Sequence, residues 1–127
     1  MSGTAAARLG AERYVSLGTF RRAGREVRTP VWVGESDGRL YVFSAGDAGK
    51  VKRVRATKRV HVAGCDVRGK VHGAWSEGSA RIVTEAATLE RVYAALRRKY
   101  GWQMRLLDLA SRLNGRIHRR AMIEIEL

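Results

Sequence analysis

Short runs of alternating apolar residues, separated by tight turns, fill most of the chain up to residue 83. Alternation with a period of two is typical of β-strands that bury one face. Connections as short as Arg21–Arg25, which contains Gly24, and Asp37–Gly38 leave no room for the crossover that parallel strands need. The pattern therefore predicts antiparallel pairing, and this restricts the possible folds more than any other feature of the chain.

The alternation places six strands along the 127 residues. They are Tyr14–Phe20, Glu26–Val33, Arg39–Phe43, Val60–Ala63, Val71–Val83 and Ile123–Leu127. Pro30 cannot donate a ladder hydrogen bond, so its strand is expected at an edge or with a bulge. Six antiparallel strands predict a mainly β fold with short helices, closed into a barrel that leaves no exposed edge. Without a linker, residues 1–127 are expected to form one domain.

Three segments have helical rather than strand periodicity. Lys50–Thr57 is short and basic, with Val51 and Val54 placed to pack on the barrel. A longer helix is expected after Thr84 as its cap, ending at Gly101. Its apolar stripe comprises Leu89, Val92, Tyr93, Leu96 and Tyr100, and that of the next helix comprises Trp102, Leu106, Leu109 and Leu113. The arginines and lysines in or just after these helices, Lys99 and Arg120 included, are expected on solvated faces opposite the stripes, or alternatively along a groove for a polyanionic tail or RNA.

The charge balance is strongly basic, with 25 Lys and Arg against 12 Asp and Glu, a net +13. This balance favours nucleic acid, an acidic membrane or a polyanionic small molecule as a partner, although biased base composition in the genome also produces it. No apolar run approaches the roughly 20 residues that span a bilayer, so no membrane partner is predicted. Cys65 is the only cysteine, which excludes an internal disulfide and favours a reducing, cytoplasmic compartment.

The densest candidate site is the basic segment Gly46–Arg55. Glycines let backbone N–H groups approach an anion, a helix start adds its positive dipole end, and Lys50 and Arg53 add full charges on one helix face. A solvated basic helix explains the same residues, so spacing alone leaves phosphate binding open. Trp32 and Trp75, each predicted within a strand, are either core residues or stacking surfaces. His61, His72 and His118 lack metal-ligand spacing, so no metal site is predicted.

Several segments in order resemble the F420-binding split-barrel proteins of the pyridoxamine-phosphate-oxidase-like class of actinobacteria. The resemblance begins near Glu12 and continues to the C-terminus. It rests on the segments Tyr14–Phe20, Thr29–Trp32, Gly49–Arg55, Cys65–Gly69 and Glu77–Ile82.

The resemblance implies a split β-barrel homodimer that holds the deazaflavin F420 at its interface, with FMN as the alternative cofactor. Lys50 falls on the family's phosphate-contacting lysine, with Lys52 and Arg53 in the same turn. Gly49 replaces a hydroxyl residue of relatives and offers its N–H instead. The other residues implied or counted as cofactor-binding are Thr29, Pro30, Val31 and Trp32 along the ring system, Ser44 and Ala45 beside the sugar-like chain, and Trp75 as a stacking surface.

The predicted function is hydride transfer between F420 and a small organic acceptor, with no catalytic residue from the protein. No paired carboxylates or catalytic triad appear in the sequence, as expected when a cofactor carries the chemistry. One alternative is a carrier or storage protein that binds F420 or FMN without turnover. Another is a basic nucleic-acid-binding barrel, disfavoured because the basic residues do not alternate with exposed aromatics on one strand face.

Overall fold

The computed structural model describes residues 2–115 and 119–127. Within these ranges the chain forms seven strands and four helices. The strands are β1 (Tyr14–Phe20), β2 (Glu26–Val31), β3 (Gly34–Ser36), β4 (Arg39–Ala45), β5 (Arg59–Cys65), β6 (Ser76–Val83) and β7 (Arg120–Glu126). The helices are α1 (Ser2–Gly10), α2 (Gly49–Thr57), α3 (Ala86–Tyr100) and α4 (Trp102–Leu113).

All seven strands belong to one antiparallel sheet in the order β2-β1-β5-β6-β7-β4-β3. The two edge strands, β2 and β3, follow each other in the chain and are joined only by Trp32 and Val33. Because this link spans at most about 11 Å, the sheet must roll until its edges lie near each other. The mainly β, antiparallel fold predicted from the sequence is confirmed.

Two details of the predicted barrel are wrong. The sheet has seven strands rather than six, since β3 is too short for alternation to reveal it. The roll is not closed by hydrogen bonds, since β2 and β3 form the ends of the strand order. Pro30 lies in one of these edge strands, as its missing N–H predicts.

A first hydrophobic core fills the inside of the roll. It takes side chains from β1, β4, β5 and β7, such as Leu17, Val42, Val62 and Ile123, all fully buried. Helix α2 adds Val51 and Val54 to this core, as the sequence predicts, and α1 adds Ala6 and Leu9. Helix α1 was not predicted, because its small, Ala-rich sequence lacks a clear apolar stripe.

A second core lies between the sheet and α3. Tyr41, Val83 and Met122 from the strands meet Val92, Leu96 and Tyr100, so the predicted stripe of α3 is confirmed. The predicted cap is wrong. The residue preceding α3 is Glu85, which makes no side-chain cap bond, and Thr84 lies one residue earlier.

Helix α4 presents the opposite face to that expected. Met104 and Asp108 are buried against the protein, while the predicted stripe of Trp102, Leu106, Leu109 and Leu113 is exposed. The cause is electrostatic, because the carboxylate of Asp108 is held by Arg120 at 2.7 Å and Arg97 at 3.0 Å. None of the helices among residues 2–115 and 119–127 is long and apolar enough to cross a membrane.

The predicted strand Val71–Val83 is too long. Strand β6 begins at Ser76, and of the preceding residues Val71 makes a single bridge to Cys65. Both tryptophans predicted within strands therefore lie just outside them, Trp32 after β2 and Trp75 before β6.

Candidate cofactor-binding site

Helix α2 begins without the side-chain cap that helix starts normally have. Ala48 precedes it in extended conformation, Gly49 is its first residue, and no side chain caps the first turn. The N–H groups of a first turn have no acceptor within the helix, and the helix dipole adds partial positive charge there. An uncapped start with no side chain at Gly49 is therefore open to an anion.

Arg53 is held over this helix start. Its Nε donates a hydrogen bond of 2.7 Å to Oγ1 of Thr19 in β1. A Cβ added to Gly49 would lie 2.6 Å from Nη1 of Arg53, so the guanidinium fills the space that a side chain would take. The sheet thus fixes a full positive charge beside the first turn of α2.

Further cations gather here without a counter-charge. Arg21 and Arg22, from the turn after β1, line a shallow cleft of about 350 Å³ together with Gly49, Lys52 and Arg53. Over residues 2–115 and 119–127, no carboxylate forms an ion pair with any of these cations or with Lys50.

The pKa values of Lys50 and Arg53 reflect the same excess of positive charge. Burial lowers the pKa of Lys50, and the neighbouring charge of Arg53 lowers it further. Burial likewise lowers the pKa of Arg53, and the charge of Arg21 adds to the effect. Like charges crowded at a partly buried position are stabilised by a bound anion.

Thr29 brings β2 into the same region. Its hydroxyl Oγ1 is the one buried side-chain N or O atom of the described chain that lacks a hydrogen-bond partner. Thr29 pairs with Leu17, while Thr19, which holds Arg53, pairs with Val27. Thr29 and Thr19 are therefore diagonal neighbours on one face of the sheet, about 7–8 Å apart. An unpartnered buried hydroxyl near a cluster of cations suits a polar ligand.

The remaining predicted residues lie away from the start of α2. Pro30 is on the opposite face of β2 from Thr29, near Gly69, and Val31 packs against the first core. Trp32 stacks on Tyr100 with ring centroids 4.3 Å apart, and Trp75 lies under the guanidinium of Arg28 on the outer face of the sheet.

Ser44 and Ala45 line a second cleft of about 350 Å³ between the end of β4 and α4. The turn after Ala45 leads directly to α2, since the N–H of Ala48 donates to the carbonyl of Ala45. The chain therefore places Gly49, Lys52 and Arg53 along one cleft, with Lys50 in the same turn. Thr29 is a diagonal neighbour of Thr19, which anchors Arg53. Ser44 and Ala45 line the separate cleft that precedes the turn into α2.

The whole chain, residues 1–127, matches the sequence pattern of pyridoxamine 5'-phosphate oxidases. The chain belongs to the pyridoxamine 5'-phosphate oxidase family. No curated protein matches it in sequence.

Three solved structures with this fold are distant from the chain in sequence. A conserved hypothetical protein from Mycobacterium tuberculosis is 21% identical with a TM-score of 0.70, covering 98% of this chain and 78% of that one. The heme storage protein HutZ from Vibrio cholerae is 11% identical with a TM-score of 0.71, covering 97% and 87%. An FAD-binding protein from Mesorhizobium loti is 17% identical with a TM-score of 0.63, covering 100% and 87%. At these identities the likeness concerns the fold.

In this member of the pyridoxamine 5'-phosphate oxidase family, sequence reasoning missed two residues next to the predicted ones. Thr19 anchors Arg53, and it continues the buried alternation of Val15 and Leu17, which was a signal that its hydroxyl needs a partner. Arg120 lines the second cleft but is buried, with its guanidinium 5.0 Å from the ring of Phe43. The sequence signal for the burial of Arg120 was Asp108, because the one acid of a helix rich in arginine and leucine requires a cationic partner if it is buried.

Two cations expected on solvated faces have structural roles instead. Arg120 is bound by Asp108 at 2.7 Å and by Ser111 at 2.9 Å. Lys99 donates from Nζ to the carbonyls of Gly10, Glu12 and Val33 at 2.6–2.7 Å. Burial, with the nearby charge of Arg13, lowers the pKa of Lys99 to about 8, so its amine is charged at neutral pH.

The two histidines that the structure describes, His61 and His72, each lie next to glutamates. His61 lies 3.4 Å from Glu26 and 3.1 Å from Glu77, and His72 lies 3.3 Å from Glu12. His118 lies outside the described residues. No group of three or more His, Cys, Asp or Glu among the described residues is arranged to hold a metal ion.

Proposed function

We propose that this protein binds the phosphate of the deazaflavin F420 at the start of α2 and supports hydride transfer between that cofactor and a small organic acceptor. FMN is the alternative cofactor, since it also carries a phosphate on its ribityl chain. The observation that carries the proposal is the group of cations at the uncapped start of α2, where Arg53 is anchored by Thr19 and no carboxylate of the described chain neutralises the charge.

The residues present fit a cofactor that combines a phosphate with a polar ring system. The guanidinium of Arg53 lies where a side chain of Gly49 would be, so it sets a full positive charge next to the backbone N–H groups at the start of α2, and one phosphate can contact both. The buried, unpartnered hydroxyl of Thr29 supplies a hydrogen bond for a polar ring edge. Once bound, a deazaflavin supplies the hydride chemistry, and the protein supplies position and electrostatics.

Each residue then has a defined task. Lys50 and Arg53 neutralise the phosphate charge, and the first turn of α2 donates N–H groups to its oxygens. Thr29 orients the ring system from β2, and Val31 beside it keeps that face of the strand apolar and excludes water. None of these tasks requires the protein to act as an acid or base, consistent with the absence of a catalytic pair in the sequence.

We further propose that a second copy of the chain completes the cofactor cleft. The clefts beside α2 and β4 are open to solvent, and β2 is an edge strand whose outer face, with Arg28 and Pro30, is exposed. A homodimer across this region would cover the ring system. The reducing cytoplasm suits such a protein, because its one thiol, Cys65, is buried and unpaired.

Proteins with the same fold include both a cofactor-binding protein and a storage protein. One is FAD-binding and one is a heme storage protein. A carrier that holds F420 or FMN without turnover is therefore the second candidate function, and a basic nucleic-acid-binding barrel is the third.

The decisive binding test compares two substitutions in one helix. Lys50→Ala removes a cation from the proposed phosphate site, whereas Arg55→Ala removes an exposed one from the last turn of α2. A charged hydrogen bond contributes about 1.5–3 kcal/mol, so Lys50→Ala is expected to weaken F420 or FMN binding roughly 10- to 100-fold. Arg55→Ala should leave the dissociation constant within about twofold. Fluorescence titration measures both, and equal affinities for wild type and Lys50→Ala would remove Lys50 from the site.

A turnover assay separates the candidate functions. Oxidation of bound reduced F420 by members of an acceptor panel of quinones, enones and tetrapyrroles would support the oxidoreductase. Tight binding without oxidation by any of them would favour the carrier. Nucleic-acid affinity that is useful at low salt and falls steeply with added salt would favour the third candidate.

A further inference from the structure

The outward face of α4 carries four large apolar side chains that the rest of the described structure leaves uncovered. We call Trp102, Leu106, Leu109 and Leu113, which are 71%, 59%, 54% and 79% exposed, the α4 stripe. Steps of four, three and four residues align them along one side of the helix. Met104 and Asp108 occupy the buried side. A contiguous apolar surface of this kind marks an interaction site.

The charges beside the α4 stripe are all positive. Arg105 and Arg112 are exposed, and their spacing of seven residues places both along the same flank of the stripe. Within residues 2–115 and 119–127 neither of them forms an ion pair or a side-chain hydrogen bond. Asp108, the one acid of α4, is turned inward onto Arg97 and Arg120. The outward face of α4 is thus apolar and cationic.

We propose that α4 docks this protein onto an anionic membrane surface. The helix lies in the plane of the interface, with the α4 stripe inserted at the boundary between headgroups and acyl chains. Arg105 and Arg112 contact lipid phosphates, and Trp102 sits at headgroup level, where its apolar ring and N–H are both accommodated. The net charge of +13 adds long-range attraction to an anionic leaflet.

A second copy of the chain fits this surface less well. A helix of 12 residues is about 18 Å long and about 10 Å wide, so its outward face covers on the order of 200 Å². A standard stable interface needs about 800 Å² from each partner. Two copies joined through α4 would also bring Arg105 and Arg112 of both chains together with no acidic residue on the outward face of α4 to pair them. Lipid phosphates pair those same arginines.

The sequence by itself predicted no membrane partner because it contains no apolar run long enough to span a bilayer. An in-plane helix needs no spanning length, so the exposure of the stripe changes that expectation. The inference does not depend on the proposed cofactor, because none of its residues contacts the start of α2.

Vesicle sedimentation with three double variants tests the proposal. Leu106→Gln with Leu109→Gln removes half of the α4 stripe, and Arg105→Gln with Arg112→Gln removes its charges. Val67→Gln with Arg68→Gln is the matched control, since Val67 is 62% exposed in a turn far from α4 in sequence and Arg68 is exposed beside it. Vesicles of equal parts phosphatidylglycerol and phosphatidylcholine are compared with vesicles of phosphatidylcholine alone.

Wild type and control are expected to bind the anionic vesicles, with a blue shift in fluorescence that Trp102→Phe abolishes. The leucine variant should lose at least about tenfold in partition coefficient. The arginine variant should lose about 25-fold on anionic vesicles, at about fivefold per charge, and little on neutral ones. Thermal melting should show all variants folded, because the changed side chains are exposed.

Two results would overturn the proposal. One is wild-type protein that remains in the supernatant with anionic vesicles. The other is a combination of two observations: analytical ultracentrifugation shows a dimer for wild type but a monomer for the leucine variant, and the leucine variant binds vesicles as well as the control does. That combination would assign the α4 stripe to contact with a second copy.

Discussion

Asp108 decides the orientation of a whole helix. Its side chain is 10% exposed and receives hydrogen bonds from Arg97 at 3.0 Å and Arg120 at 2.7 Å. Burial raises the pKa of Asp108, but the hydrogen bonds and charges of the two arginines outweigh it, so the net pKa is lowered. A single carboxylate thus fixes which face of α4 meets the protein, against the preference of the leucines on the other face.

Asp108→Asn is therefore expected to destabilise the protein at neutral pH by about 3 kcal/mol, because Arg120 would stay buried without its counter-charge. The exposed pair of Asp37 with Arg91, 3.8 Å apart, provides the control, and Asp37→Asn should cost less than about 0.5 kcal/mol. Urea unfolding measures both changes. Equal losses for the two variants would contradict the role given to Asp108.

The lowered pKa of Asp108 also sets a pH dependence. A carboxyl whose pKa is lower in the folded state stabilises that state fully above its unfolded pKa of about 3.9, and the contribution is lost as the pH falls through the folded pKa. The stability difference between wild type and Asp108→Asn should hold at neutral pH and shrink below about pH 4.

Helix α2 packs against the core with one face and offers its first turn to a ligand. Val51 and Val54 bury one face in the core, while the start of the helix stays uncapped under the guanidinium of Arg53. A cap residue would stabilise α2, and with Ala48 in that position the N–H groups of Gly49 and Lys50 have no side-chain acceptor and can donate to a ligand.

Gly49→Ala tests whether ligand binding at the start of α2 can be changed without loss of its packing. The new Cβ would lie 2.6 Å from Nη1 of Arg53, which is the flexible end of a side chain and can move, so stability should change by less than about 1 kcal/mol. Binding of inorganic pyrophosphate should weaken, because the guanidinium leaves its place. Isothermal titration in an Arg53→Ala background is the control, since the effect of Gly49→Ala should vanish there. An undiminished effect would show that Arg53 is not its cause.

The whole molecule carries a charge that its own acids cannot balance. With a net +13 on 127 residues, self-repulsion opposes the compact state. The ion pairs that form involve only part of the arginines, and the start of α2 has none in the described structure.

The melting temperature is accordingly expected to rise by a few degrees from low to physiological ionic strength, as salt screens the repulsion. Sulfate should raise it more than chloride at equal ionic strength, because an anion that binds only the folded state stabilises it. That excess should shrink in Lys50→Ala and persist in Arg55→Ala. Differential scanning calorimetry measures it, and an excess unchanged in Lys50→Ala would place the bound anion elsewhere.

The sequence by itself determined what local periodicity and chain chemistry can determine. Alternation and short turns predicted antiparallel strands, Pro30 predicted an edge, and Gly101 predicted the break between α3 and α4, since each effect acts within a few residues. The basic turn around Lys50 was likewise visible as a candidate phosphate site. The membership of a split-barrel family could be anticipated from the order of several segments.

Only the tertiary structure decided which groups meet. It paired Thr19 with Arg53 across 34 positions of sequence, left the hydroxyl of Thr29 buried without a partner, and drew Asp108 onto Arg120. It also rolled the sheet without closing it and turned the α4 stripe outward. These outcomes depend on desolvation and on contacts between distant segments, which periodicity along the chain does not record.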